Sequence, residues 1–404
     1  MSHPTTTEPG APAAPPLAGL RVLDLTEYMA GPYCTAALAD MGAEVIKIER
    51  PGKGDSIREW GGNPRNPWFR YINRNKRSMT LNYRLPAGRE VLLRLVREAD
   101  ILVENYRPTV LERAGLGWDV LHAANPRLIY CSISGYGYDG PYREKGGFDL
   151  IAQAMGGIMH VTGEPDGPPT SVGLPICDLT SGIWGAVGIL GAVVQRQQTG
   201  RGQRVEGSLL ETAVALSSWT GAGYLADGKE PQRLGSRHRQ SAPYQRFRSA
   251  DGYLMIGAGN QSIWERLCTA LGHPEWNARP AFATARDRVH HRAELEAALE
   301  AVLLTRDTAH WVALLDEAGV PCGPVNTYAQ VFGDPQVLHR EMVSRLTDAD
   351  GSEVAHLRTP LRLSEGDVSV RSLAPALGAD TEAVLHGAGY SAADIDALRA
   401  DGVI

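Results

Sequence analysis

Apolar and polar positions in the first 135 residues alternate between two signatures. Short apolar runs with no polar face occupy residues 20–25 (LRVLDL), 44–49 (EVIKIE), 101–103 and 128–132. Runs of this kind predict strands buried on both sides of a sheet. Between them, helical spacing predicts helices over 33–41, ended by Gly42, over 88–98 and over 118–123. Repeated strand–helix–strand units predict a parallel sheet with right-handed crossovers, a doubly wound, Rossmann-like α/β domain. Ligands of such sheets bind at the carboxyl ends of strands, here the loops after Leu25, Glu49, Glu104 and Ser132.

Further on, 135–147 (GYGYDGPYREKGG) reads as a glycine-rich loop and 149–160 as a helix. Residues 172–177 read as a strand, 179–198 as a long helix, 204–208 as a strand and 211–225 as a helix. A polar, basic stretch at 227–243 reads as a boundary. Beyond it, strands at 244–247 and 253–256 flank an Ala-Asp-Gly turn, and helices are predicted over 262–271, 292–304 and 309–318. A strand at 358–363 and a helix at 392–400, capped by Ser391 with Asp394 three residues on, complete the pattern. The expected organisation is a disordered tail (1–16), a large α/β domain (17–226, completed by 330–404) and a smaller α+β domain (227–329).

Composition narrows the function. With 404 residues, two domains are expected. The net charge of −6 argues against a nucleic-acid partner, so any anion site must be local. Five scattered cysteines without paired spacing read as reduced thiols of a cytoplasmic protein and give no metal motif. No apolar run of membrane-span length lacks a charge or a string of glycines, so no membrane partner is expected. Glycine fingerprints for dinucleotides, the P-loop and the G-x-S-x-G elbow are absent from the sequence.

One stretch stands apart. Residues 171–194 (SVGLPICDLTSGIWGAVGILGAVV) carry a single charge, Asp178. A carboxylate in such surroundings loses hydration and needs a compensating role. It is either a helix N-cap or a reactive carboxylate at a strand-to-helix corner, and the two roles are compatible.

Several ordered stretches, LAGLRVLDLTEYMAGPYCT, AEVIKIERPGKGDSIREW, NRNKRSMTLN, ADILVENYRP, GFDLIAQAMGG, ICDLTSG, TGRGQ and GVPCGPVN, resemble the class III coenzyme A transferases, the family of formyl-CoA:oxalate and carnitine CoA-transferases. The resemblance covers nearly the whole chain after the tail. It implies exchange of CoA between an acyl-CoA and a carboxylic acid, with Asp178 as nucleophile and no cofactor or metal beyond CoA itself. A helix N-terminus near Asp178 would help hold the anion, and backbone N–H groups would stabilise the oxyanion. Positions matching CoA contacts are Arg50, Leu81, Arg84, Asn105, Tyr106, Arg113 and Lys145. Positions matching the acid pocket are Met29, Trp60, Phe148, Gly257 and Gly259. The family also implies an interlocked homodimer.

Departures bear on the substrate. Met29 stands where the formyl-CoA branch has Gln, and Trp68 and Phe148 where it has Tyr. A larger or less polar acid than oxalate fits these side chains. An α-methylacyl-CoA racemase would need a His at Phe148, which cannot exchange protons. A non-catalytic CoA-binding protein is a further alternative, which retention of the lone Asp178 argues against.

Overall fold

The computed structural model describes residues 14–62 and 66–404. Most of the tail expected at 1–16 lies outside the described residues. The described residues form two compact units, one within 14–158, 171–227 and 340–404, the other of 159–170 and 228–339.

The first unit is built on six parallel strands: β1 (Arg21–Asp24), β2 (Glu44–Glu49), β3 (Lys76–Thr80), β4 (Ile101–Glu104), β5 (Ile129–Ser134) and β6 (Arg204–Ser208). Their order is β3-β2-β1-β4-β5-β6, with every pairing parallel. The direction of winding reverses between β1 and β4, the switch point where doubly wound sheets open a crevice. Alternate residues feed two apolar layers. Leu23, Ile46, Leu102 and Tyr130 pack on one face with the Pro86–Glu98 helix. Val22, Val45, Val103 and Cys131 pack on the other with the helices Ala30–Asp40 and Ile176–Thr199. Burial on both faces is why these strands read as unbroken apolar runs.

Four expectations are corrected. Residues 172–177 are not a strand: Gly173 has φ +78°, and the helix begins at Ile176, directly after Pro175. The helix expected over 149–160 stops at Met155, because Gly157 turns at φ +83°. The segment 358–363 is not a strand. The strands are β10 (Val343–Thr347) and β11 (Glu353–Leu357), an antiparallel pair around Gly351 at φ +83°. The helix expected over 211–225 is two, Leu209–Leu216 and Ser218–Asp227, split at Ser217.

The Ile176–Thr199 helix has the length and apolarity to cross a membrane. Here its Ser181, Gly185 and Ile189 face is buried. A Cβ on Gly182 would lie 2.6 Å from the carbonyl oxygen of Ala30, so glycine lets this helix seat on the Ala30–Asp40 helix. Asp178 is thereby fixed beside the ends of β1 and β5. The five cysteines are free thiols.

The second unit contains an antiparallel sheet of β7 (Tyr244–Arg248), β8 (Tyr253–Gly257) and β9 (Cys322–Pro324). Helices Gln261–Ala270, Arg292–Leu303 and Thr308–Glu317 enclose a core that includes Phe247, Trp264, Leu299 and Leu315.

Candidate active site

The crevice is shaped first by buried charge. Asp24, at the end of β1, is fully buried and accepts hydrogen bonds from Lys76 Nζ at 2.9 Å, Thr35 Oγ1 at 2.7 Å and the Thr26 amide at 2.9 Å. Burial alone would raise this carboxyl, but Lys76, Lys47 and the Thr26 bond outweigh it and hold Asp24 at about 2. Burial brings Lys76 down to about 8 against the pull of Asp24. Lys47 pairs with Asp55 at 2.9 Å and donates to the Thr26 carbonyl at 2.7 Å. The basic run NRNKRS is thus internal scaffolding: Arg74 is spent on buried Asp40, and Lys76 on Asp24.

The loops at the switch point are tied together. Asn105 Oδ1 accepts from the Glu27 amide at 2.9 Å, and its Nδ2 donates to the Glu27 carbonyl at 2.7 Å. Beneath them lies Glu104, 2% exposed. It accepts from the Tyr106 amide at 2.7 Å and the Tyr130 hydroxyl at 3.0 Å. Burial raises the Glu104 carboxyl to about 7.

Asp178 occupies the first turn of its helix, three positions after Pro175, which has no side chain able to cap. The capping is done by another residue. Asp149, buried at the start of the Asp149–Met155 helix, accepts with Oδ1 from the amides of Cys177 at 2.8 Å and Asp178 at 3.1 Å. Gln153 donates to its other oxygen. The cap reading of Asp178 is therefore set aside, since Asp149 fills that role from a distance in the chain. Asp178 is half-buried, and its carboxylate receives no hydrogen bond among the described residues. Burial, then the neighbouring Asp149 charge, raise it to about 7.

The first amides of this helix are already engaged. Cys177 and Asp178 donate to Asp149, Ile176 to the Leu174 carbonyl and Leu179 to the Pro175 carbonyl. The Ala30–Asp40 helix, by contrast, begins without a side-chain cap at Met29.

Asp178 lines a cavity of about 230 Å³, and Met29, Asn105, Tyr106, Lys145 and Phe148 line it too. Phe148 is 64% exposed and meets Tyr28 edge-on, with ring centroids 6.3 Å apart. The wall beneath Phe148 is held by a close pass of two backbones: a Cβ on Gly147 would lie 2.5 Å from the Cα of Gly135. Lys145 sits 3.8 Å from the centre of the Tyr142 ring.

The remaining expected positions fall elsewhere. Arg50 reaches Ser56 at 3.0 Å and Glu27 at 3.3 Å on the surface beside the first loop. Arg84 is exposed just past β3, and Arg113 folds back on Thr109. Leu81 is a core side chain, 1% exposed. Trp60 is exposed and packs edge-on against Trp68. Gly257 and Gly259 line a cavity of about 680 Å³ within the second unit, with His238, Ser241 and Asn260. His160 belongs to that unit and pairs with Glu230 at 3.0 Å. Among the described residues, no histidine lines the Asp178 cavity.

Two participants escaped the sequence reading, Asp149 and Gln153. The signal available for Asp149 was indirect: a helix start at Pro-Ile-Cys with no capping side chain of its own requires one from elsewhere.

Comparison with known proteins adds a frame. A sequence model described as CoA-transferase family III matches residues 17–381. A mouse succinyl-CoA:glutarate CoA-transferase is 39% identical over 393 residues, spanning 96% of this chain and 90% of the mouse protein. A succinyl-CoA–D-citramalate CoA-transferase from Chloroflexus aurantiacus is 41% identical over 367 residues, spanning 90% and 91%. A crystal structure of a CAIB/BAIF family protein from Brucella suis is 40% identical, with a TM-score of 0.83, covering 93% of this chain and 100% of that one.

Proposed function

The chain belongs to CoA-transferase family III, and from that premise we propose that it moves CoA from an acyl-CoA to a carboxylic acid through covalent intermediates on Asp178. The observation that carries this reading is the Asp178 carboxylate. It lies on a cavity wall, half-buried and without a hydrogen-bond donor, while Asp149 does the capping that would otherwise occupy it. Such an oxygen pair is poorly solvated, which favours attack on a carbonyl.

The steps balance without a proton donor or acceptor. One Asp178 oxygen attacks the thioester carbonyl, and collapse expels CoA thiolate and leaves a mixed anhydride. The thiolate attacks the aspartyl carbon, expels the first acid as its carboxylate, and leaves an aspartyl–CoA thioester. The second acid's carboxylate attacks that thioester and releases thiolate. Thiolate then takes the new acyl group, and Asp178 is restored. Phe148, where a proton-moving enzyme would hold an ionisable group, suits this chemistry. The uncapped start of the Ala30–Asp40 helix, whose Ala30 lines the cavity, is the place for donors to the tetrahedral oxyanion. Asn105 and Tyr106 line the path of the thiol arm. Lys145 at the rim, with Arg50, Arg84 and Arg113 on surface loops, serves the phosphates. Leu81, a core side chain, can meet the adenine end only through its backbone.

A second copy of the chain completes the molecule. The Ser218–Asp227 helix has no buried residue, with Trp219 70% and Leu225 85% exposed, a surface that a homodimer partner would cover. A monomeric mass by light scattering at micromolar concentration would contradict the dimer. The reading as a whole is tested by incubating the protein with a panel of acyl-CoA donors and free acids and resolving the CoA products by chromatography. We expect new acyl-CoA that depends on both partners. Release of free CoA alone, or α-proton exchange from solvent deuterium without transfer, would defeat it.

A further inference from the structure

We propose that Tyr28 closes the mouth of the Asp178 cavity against water, and so favours transfer of CoA over hydrolysis of the acyl-CoA. The proposal rests on the transfer reading above and deepens it.

The proposed route passes through two water-labile species, the mixed anhydride and the aspartyl–CoA thioester. Water attacking the thioester places its oxygen on the aspartyl carbon and expels CoA thiolate. One water proton ends on the sulfur, the other goes to solvent, and Asp178 is restored with no acid having received CoA. Water outnumbers any acceptor acid, so the acid wins only where water is kept out.

The cavity carries a screen. Tyr28 and Phe148 both line it, their rings meet edge-on at 6.3 Å, and both are partly exposed, so the pair stands between Asp178 and solvent. Each ring leaves a fixed stretch of backbone. The close pass of Gly147 over Gly135 holds Phe148. Tyr28 has φ +65°, a left-handed conformation unfavourable for a bulky residue. Among the described non-glycine residues it shares a positive φ only with Asn75 and Glu341, and neither lines the cavity.

Such a conformation persists where the surroundings impose it. Here they act on consecutive backbone groups. The Thr26 amide donates to Asp24 at 2.9 Å, and the Thr26 carbonyl accepts from Lys47 at 2.7 Å. Asn105 engages both the amide and the carbonyl of Glu27. The Tyr28 amide donates to Asp55 Oδ1 at 3.2 Å. The other Asp55 oxygen meets Lys47 at 2.9 Å, with both side chains fully buried. One buried ion pair thus grips the chain on either side of Glu27. Such a pair adds little net stability compared with an apolar replacement. What this one supplies is the direction in which the Tyr28 ring leaves the loop.

The test uses Tyr28→Gly, which removes the ring and accepts a positive φ without strain, so the loop keeps its path. The donor and acid are the pair most active in the panel described above. The readout is the fraction of consumed acyl-CoA that ends as free CoA instead of new acyl-CoA. We expect a small fraction in the wild type and a rise of roughly three- to tenfold in Tyr28→Gly, the span of one lost aromatic pair. Tyr28→Phe, which keeps the ring, should return the fraction to near the wild-type value. Tyr28→Ala should melt below Tyr28→Gly, because alanine is strained at this φ. An unchanged fraction in Tyr28→Gly, an equal rise in Tyr28→Phe, or Tyr28→Ala melting at or above Tyr28→Gly would overturn the proposal. So would loss of transfer and hydrolysis together in Tyr28→Gly. Each of these leaves the transfer reading intact while the wild type transfers CoA and carries the Asp178 adduct. Absence of both transfer and adduct in the wild type would overturn the two together.

Discussion

Two aspartates of this chain sit within one α/β unit and meet opposite fates. Asp24 is fully buried, yet two lysines and local hydroxyl and amide donors hold it at about 2. Asp178 is less buried, but its neighbour is another carboxylate, Asp149, and its carboxyl rises to about 7. The amides that could have stabilised Asp178 are taken by Asp149. Burial by itself does not decide what a carboxylate becomes. The partner does: a cation makes a strut, and withheld partners make a group poised to react.

The largest effect expected from breaking this contrast is on transfer. Asp178→Asn keeps the shape but replaces the carboxylate with a very weak nucleophile. CoA transfer should fall by several orders of magnitude in steady-state assays, while acyl-CoA binding by calorimetry persists.

Breaking the other side should strike stability instead. Asp24→Asn leaves Lys76 buried without its counter-ion, and we expect a loss of about 3–5 kcal/mol by urea denaturation. The sign with pH also differs. The folded pKa of Asp24 is depressed, so its contribution is present above the unfolded carboxyl pKa near 3.8 and is lost as pH falls towards about 2. Asp178 is raised, so the folded state loses stability as pH climbs from about 4 to about 7. Asp178→Asn should therefore melt higher than wild type at pH 8 by roughly a few degrees, and the gap should narrow at pH 5.

A subtler change sharpens the comparison. Asp149→Asn keeps an oxygen to accept the two amides but removes the like charge. On the proposed route transfer requires ionised Asp178, so the acidic limb of the rate profile should lie near pH 7 and move to lower pH in this variant. Because burial is the larger cause of the shift, we expect a displacement of about one pH unit or less. An unmoved limb would show that Asp149 acts only as a cap. Smallest of all, Arg50→Ala and Arg84→Ala should raise KM for acyl-CoA roughly tenfold with kcat little changed, as expected for exposed contacts to phosphate.

The sheet was largely legible from the order of residues, because strands buried on both faces leave runs such as EVIKIE, which matches β2 from end to end. The edge strand Lys76–Thr80 was not. Its sequence, KRSMT, looks like surface, and only the distant Asp24 makes Lys76 an interior residue. Asp178 was conspicuous as a lone charge in an apolar stretch. The start of its helix was misplaced because Asp149, far back in the chain, supplies the cap. Local pattern reports propensity and burial well, but it carries no record of a hydrogen bond between elements that meet only after folding.

The most direct measurement is a quench experiment on the wild-type protein. Incubated with acyl-CoA, denatured rapidly and digested, it should yield the peptide containing Asp178 with the added mass of CoA, and hydroxylamine should remove that mass. A wild-type protein that transfers CoA while Asp178 stays unmodified, or an Asp178→Asn variant that transfers at the wild-type rate, would contradict the account.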